Sequence, residues 1–201
     1  MTRNERIILF LLAALNFTQL LDFIIMMPLS NYLLPYFQIT AFQFSLLVAS
    51  YSVSAFISGL IIAMFVDKFD RKKSLLLAYV GFLVGTLACG FSYTYGFLLA
   101  SRILAGLFGG IIGAQVLSIV ADLFAYERRG RAMGAVVSAF AAATIFGVPL
   151  SLYLTNIFKY NWHVPFILIG SIGIVIIPFV IRYIPKMVEH INTERPSSPF
   201  S

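Results

Sequence analysis

Six long runs of apolar residues, separated by short polar connections, dominate this sequence of 201 residues. A transmembrane helix needs about 17–25 mostly apolar residues, and every run reaches that length. None of the runs alternates between polar and apolar residues as the strands of a membrane barrel do. The composition, 60% hydrophobic and 11% charged, excludes an ordinary soluble domain. The sequence therefore predicts an all-α, polytopic membrane helix bundle with six transmembrane spans, at residues 7–33, 44–66, 74–91, 96–121, 132–157 and 164–184.

Basic residues lie almost entirely on one side of these spans. Of the 14 Lys and Arg residues, Arg102 lies inside the fourth span and Lys159 lies in the last connection of the opposite side. The others lie near the termini or in the second–third and fourth–fifth connections. Because positively charged loops remain cytoplasmic, both termini are expected inside the cell, in a multi-pass protein of the inner or plasma membrane. Residues 1–190 are expected to form the bundle, and residues 191–201 a cytoplasmic tail or the start of a central linker.

Two charged residues fall well inside the spans. From helical rise, Asp22 lies about 22 Å from the cytoplasmic edge of the first span and Arg102 about 9 Å from the outer edge of the fourth. In a core of about 30 Å they share one height, so a pair is geometrically possible, direct or through substrate. Gln19 lies one turn before Asp22 on the same face. A carboxylate can load a proton whereas arginine does not release one, so Asp22 is the candidate proton carrier. The alternative is a static ion pair that orients two helices.

Other functional classes find little support in the sequence. Cys89 is the only cysteine, while His163 and His190 lie at a membrane edge and in the tail, so no nucleophile–histidine arrangement is expected at membrane depth. No HExxH motif occurs. The sequence pI of about 9.6 arises from dispersed loop residues rather than one basic face, which disfavours nucleic-acid binding. We expect no enzymatic activity, metal or cofactor.

Four segments, in order along the chain, resemble the major facilitator superfamily. They are QLLDFIIMMPL in the first span, AMFVDKFDRKKSLL after the second, RILAGLFGG in the fourth and DLFAYERRGRAMG after it. Within that superfamily they are similar to the proton-coupled drug and sugar efflux permeases. The resemblance implies secondary active transport, with protons and a small organic molecule as ligands and the lipid bilayer as surroundings.

The resemblance also implies roles for individual residues. In these permeases the arginine of the fourth span, here Arg102, is associated with proton coupling. A loop signature after the second span is associated with a cytoplasmic conformational switch. The residues that match it here are Asp67, Lys68, Arg71 and Lys72, and Asp122 is expected to act with them. Exporters of this family carry a Gly-Pro motif in the fifth span. Gly147 and Pro149 match it loosely and are expected to form a helix hinge.

The resemblance corresponds to the amino-terminal half of a twelve-helix architecture. In such transporters the substrate lies near the midplane between two six-helix halves. We therefore expect a second half, either a separate chain or a second copy of this one. The alternative is a truncated or non-transporting protein that binds or scaffolds a partner.

Overall fold

The structure is a computed structural model that describes residues 3–65, 70–159 and 161–185. The described residues form helices and connecting turns. The helices are α1 (Arg3–Ile24), α2 (Ser30–Phe37), α3 (Ala41–Phe65), α4 (Arg71–Gly90), α5 (Tyr95–Leu123), α6 (Tyr126–Ala142), α7 (Val148–Ile157) and α8 (Val164–Tyr183), with a π-helical turn at Ala143–Gly147 between α6 and α7.

Within the described residues, six helical segments are long and apolar enough to cross a membrane. They are α1, α3, α4, α5, the continuous α6–π–α7 segment and α8, which confirms the predicted all-helical bundle of six spans. Large apolar side chains such as Phe10, Met64 and Phe146 remain exposed on its periphery, where lipid replaces water as the surroundings. Below, the side of the bundle that carries Arg6, Arg71 and Arg128 is called the basic side.

The first predicted span was wrong at its end. Residues 7–33 were expected to form one helix, but α1 ends at Ile24 and residues 25–29 form turns. Pro28 lies in these turns, where it lacks an N–H for helical bonding and disfavours the helical conformation of the residue before it. The chain resumes as α2, a separate helix of 8 residues that is followed by Gln38 in the left-handed conformation. Apolar character alone does not distinguish a span from this short additional helix.

Close packing around α5 depends on glycine. A Cβ atom added at Gly106 would overlap the carbonyl oxygen of Tyr51, and one at Gly110 would overlap that of Ala55, so α3 and α5 are in backbone contact. On another face of α5, a Cβ at Gly85 of α4 would lie 2.7 Å from the backbone nitrogen of Ala105. Small residues allow this approach in lipid, where dispersion contacts rather than the hydrophobic effect hold helices together.

Helix α1 makes a polar contact with each of four neighbouring helices. The Asn16 amide donates to the carbonyl of Val136 on α6 at 3.1 Å, and the Thr18 and Tyr79 hydroxyls of α1 and α4 lie 3.1 Å apart. Gln19 and Asp22 contact α3 and α5 in the same way. These contacts fix the rotation of α1, because each of its polar side chains has its partner on a different helix.

Candidate functional site

Asp22 and Arg102 form an ion pair inside the bundle. Arg102 Nη1 donates to Asp22 Oδ2 at 2.8 Å and lies 3.3 Å from the backbone carbonyl oxygen of Asp22. Both side chains are 0% exposed. On α5, Arg102 lies one turn after Leu98, which belongs to one apolar cluster, and one turn before Ala105, which belongs to another. Removing one partner of such a pair leaves an uncompensated buried charge, at a cost of about 3–5 kcal/mol.

The pair retains unused hydrogen-bonding capacity. The Thr86 hydroxyl lies beside the Asp22 carboxylate and the Cys89 thiol lies beside the Arg102 guanidinium, but among the described residues Asp22 Oδ1 and the Nε and Nη2 groups of Arg102 complete no well-aligned hydrogen bond. Buried polar groups are usually satisfied, so unpaired donors and acceptors on one ion pair call for a functional explanation. The carboxylate has one oxygen bound to the guanidinium and one oxygen that can accept a proton.

Tyr51 of α3 connects this pair to Gln19. Its ring centre lies 4.5 Å from Cζ of Arg102, in a cation–π contact, and its hydroxyl accepts a hydrogen bond from Gln19 Nε2 at 3.2 Å. Gly109 of α5 makes room for this hydroxyl, which a Cβ atom at that position would overlap. Tyr51 is 2% exposed, whereas Gln19 is half-buried. The three predicted residues and Tyr51 thus form one contiguous cluster.

A second ion pair lies at the basic side. Arg71, at the start of α4, places its Nε 2.9 Å from Asp122 Oδ2 near the end of α5. The side chain of Arg71 is buried and that of Asp122 is 34% exposed. This pair joins two ends of helices that the sequence separates by about 50 residues, so two of the predicted switch residues are in direct contact.

A third predicted switch residue, Lys72, makes different contacts. Lys72 donates from Nζ to the carbonyl of Ile181 at 2.7 Å, which holds the start of α4 to the last turn of α8. Its backbone N–H bonds the side chain of Asp70, the N-cap of α4. Asp67 and Lys68 lie outside the described residues.

The predicted hinge coincides with an interruption of helical geometry. Residues Ala143–Gly147 form a π-helical turn, in which the N–H of Val148 bonds the carbonyl of Ala143 five residues earlier. Pro149 follows in the first turn of α7 and has no N–H to continue the helical pattern. Gly147 is buried against α1, where an added Cβ would lie 2.8 Å from a methyl carbon of Leu21. A π-turn followed by proline is a common cause of helix bending.

Residues that bind metal do not come together in the part of the chain that the structure describes. No three His, Cys, Asp or Glu side chains there could hold a metal ion. Cys89 is buried in contact with Arg102 rather than with another ligand.

The sequence is similar to known membrane transporters over most of its length. The family model described as Major Facilitator Superfamily matches residues 10–200. Multidrug resistance protein 3 of Bacillus subtilis is 30% identical over 148 residues, covering 74% of this chain and 28% of that protein. An uncharacterised MFS-type transporter of the same organism, YwfA, is 32% identical over 118 residues, covering 59% of this chain and 29% of that protein.

The fold of the chain is also similar to that of solved transporter structures. The crystal structure of a bacterial homologue of the human lysosomal transporter Spinster superimposes with a TM-score of 0.79 at 16% identity, covering 92% of this chain and 44% of that one. The aligned regions thus cover less than a third of each of the two Bacillus proteins and under half of that solved chain. Because the family match extends over nearly the entire sequence, the chain belongs to the Major Facilitator Superfamily.

Proposed function

We propose that this chain is half of a proton-coupled secondary transporter that exports small organic molecules such as drugs or sugars. The observation that carries the proposal is the Asp22–Arg102 ion pair, which is fully buried between otherwise apolar spans. Ionisable residues at membrane depth are costly and mark ion or substrate pathways. The name of the similar multidrug resistance protein supports export of drug-like molecules.

Asp22 is the proposed proton carrier. Its Oδ1 atom takes no part in the hydrogen bond from Arg102 and is the atom at which a proton would bind. Protonation removes the negative charge that faces Arg102, and the guanidinium keeps its own charge because it does not deprotonate in proteins. The attraction between α1 and α5 then falls, so the contact between these two helices becomes dependent on protonation.

Gln19 is the proposed substrate contact. Asp22 and Arg102 are 0% exposed, so a substrate that approaches the bundle surface reaches neither of them directly. Gln19 is half-buried and is joined to Arg102 through Tyr51. A substrate that takes the Gln19 amide releases the Tyr51 hydroxyl, and the ring that lies against Arg102 is then free to shift. Substrate binding and protonation would in this way act on the same ion pair.

Two further elements carry the proposed conformational change. The Arg71–Asp122 pair, together with Asp67, Lys68 and Lys72, acts as the switch on the basic side, because breaking it frees the start of α4 from the end of α5. The π-turn with Gly147 and Pro149 acts as the hinge at which α7 moves relative to α6. Conformational changes of this kind occur by switching a few discrete contacts and hinges, and not by continuous deformation of the fold.

The proposal includes an orientation and a second half. The basic side faces the cytoplasm of the inner or plasma membrane, both termini included, since loops rich in Lys and Arg remain there. A second six-helix half, either a separate chain or another copy of this one, completes a substrate cavity between two walls. Residues 191–201 would serve as a cytoplasmic tail or as the beginning of a linker to that half.

Transport by everted membrane vesicles tests the proposal. Vesicles from cells that produce the full chain are energised to form a proton gradient, and the uptake of a panel of fluorescent drug-like dyes is measured. We expect gradient-dependent uptake by the wild type and by E127Q, which removes an exposed acid of α6, and its loss in D22N. Absence of flux with every dye, from folded protein in the membrane, would instead support the partner-binding alternative.

A further inference from the structure

A groove on the outer surface of the bundle runs between α1 and α8. Its cavity volume is about 490 Å³, and its walls are apolar, formed by side chains that include Phe10 and Ala14 of α1 and Val175 and Phe179 of α8. At the basic end of the groove these walls give way to Arg6 and Tyr183. The groove is therefore apolar along its length and cationic at one end.

A second recess of about 460 Å³ adjoins this cationic end. It is lined by Asn4, Ile8, Arg182, Tyr183 and Pro185, and it shares Tyr183 with the groove. The described residues of the two linings include no Asp or Glu. Two exposed arginines, Arg6 and Arg182, thus lie in adjoining recesses that share Tyr183.

The acid next to Arg6 in the sequence is Glu5. Its carboxylate lies 3.9 Å from Arg128 of α6. On the α8 side, Lys72 binds the carbonyl of Ile181 and adds a third positive charge beside Arg182. The described lining at this end of the groove consequently carries positive charge, from Arg6 and Arg182, and no acid.

The length of the groove fits one leaflet of a bilayer. Arg6 and Ala14 are eight residues apart on α1, as are Val175 and Tyr183 on α8, and a rise of 1.5 Å per residue makes each wall about 12 Å long. One leaflet of a hydrocarbon core of about 30 Å is about 15 Å deep. The apolar walls therefore lie at the depth of acyl chains while the arginines lie at the level of headgroups.

We propose that this groove binds one anionic phospholipid from the leaflet on the basic side. An acyl chain lies against Phe10, Ala14 and Val175, and the phosphate lies between Arg6 and Arg182. Basic pockets between transmembrane helices on this side of a membrane are suited to anionic headgroups, and bidentate arginine donors match the phosphate oxygens. The site is separate from the Asp22–Arg102 pair and does not depend on the transport activity proposed above.

Native mass spectrometry of the full chain tests the headgroup part of the site. Detergent-purified protein is mixed with equal amounts of dioleoylphosphatidylglycerol and dioleoylphosphatidylcholine, which differ in charge but not in chains. We expect one phosphatidylglycerol to be retained in preference. R6Q and R182Q should each reduce this preference about fivefold, the effect of one arginine near an anionic surface. R131Q, an equal charge change at an exposed residue of α6, should leave it unchanged.

A substitution that fills the groove with a larger apolar side chain tests the acyl-chain part of the site without a change of charge. A14F places a ring in the groove and should abolish the preferential adduct, whereas V137F, on the exposed face of α6, should retain it. A thermal unfolding scan checks that each variant is folded. Equal retention of the two lipids by the wild type would overturn the proposal. So would an equal loss in R131Q and R182Q, or an unaltered adduct in A14F.

Discussion

The Asp22–Arg102 pair predicts a strongly non-additive double-mutant cycle. Replacing Arg102 by Met leaves the Asp22 carboxylate buried without its counter-ion, and replacing Asp22 by Leu leaves the guanidinium in the same position. Both side chains are 0% exposed, so solvent cannot compensate either of them. We expect each single substitution to lower the free energy of unfolding by about 3–5 kcal/mol.

The double variant D22L/R102M should be more stable than either single variant. Its side chains are apolar and bury no charge, and replacement of whole buried ion pairs by apolar residues is often neutral or stabilising by about 1–4 kcal/mol. The coupling energy between the two positions should therefore be at least about 3 kcal/mol. The double variant also loses the contact between Arg102 and the Tyr51 ring, 4.5 Å away. This loss lowers the stability that the double variant regains by about 1 kcal/mol.

Unfolding of the purified chain in mixed detergent micelles, with increasing fractions of denaturing detergent, measures this cycle. The exposed Glu5–Arg128 pair supplies the control, because its atoms are 3.9 Å apart and the Arg128 side chain is 59% exposed. E5Q and R128Q should each cost less than about 1 kcal/mol and show little coupling. If D22L and R102M instead add, so that the double variant loses the sum of the two costs, the pair does not act as one buried electrostatic unit.

Three further perturbations test other parts of the structure. G110A should destabilise the bundle by about 1–3 kcal/mol because its Cβ meets backbone of α3, whereas G113A, with nothing within 4 Å, should be neutral or stabilising; thermal unfolding in detergent distinguishes them. D122N should cost no more than about 1 kcal/mol in the same assay, because Asp122 is partly solvated, and a larger loss would contradict that reading of its pair with Arg71. Burial lowers the pKa of His163, in the loop before α8, although a hydrogen bond to the Gly90 carbonyl opposes the shift. The neutral ring is then the folded form, so stability falls as the pH drops below about 6.5 and the unfolded state takes up the proton more readily. H163Q should lose less thermal stability than the wild type between pH 7.5 and pH 5, and equal losses would refute this assignment.

The bundle could be predicted from the sequence because apolar length is sufficient to define a membrane span. The depth comparison between Asp22 and Arg102 also needed only the helical rise, and the structure places their side chains 2.8 Å apart. The positions of helix breaks were harder to predict from the sequence. The apolar residues of the turns after α1 and of α2 resemble a continuation of the span, and only Pro28 indicated otherwise.

Tyr51 was missed for a different reason. A tyrosine in an apolar span is compatible with a lipid-facing, an interfacial or a core position, and its sequence neighbours do not distinguish these. Its role depends on Gly109, which leaves space for the hydroxyl, and on Gln19, which binds it. These contacts arise between three helices, so they are fixed by packing rather than by the sequence of any one helix. Conversely, Lys72 matches the family signature but contacts α8 in place of Asp122.

Infrared difference spectroscopy of the reconstituted full chain tests whether Asp22 binds a proton, because it detects protonation of a carboxyl group without a known substrate or a second half. Spectra are recorded over a pH titration for the wild type, D22N and E127Q. We expect one component of the protonated-carboxyl signal, among those of the eight Asp and Glu residues, to develop on acidification in the wild type and in E127Q and to be absent from D22N. Identical spectra for the wild type and D22N across the titration would contradict the assignment of Asp22 as the proton carrier.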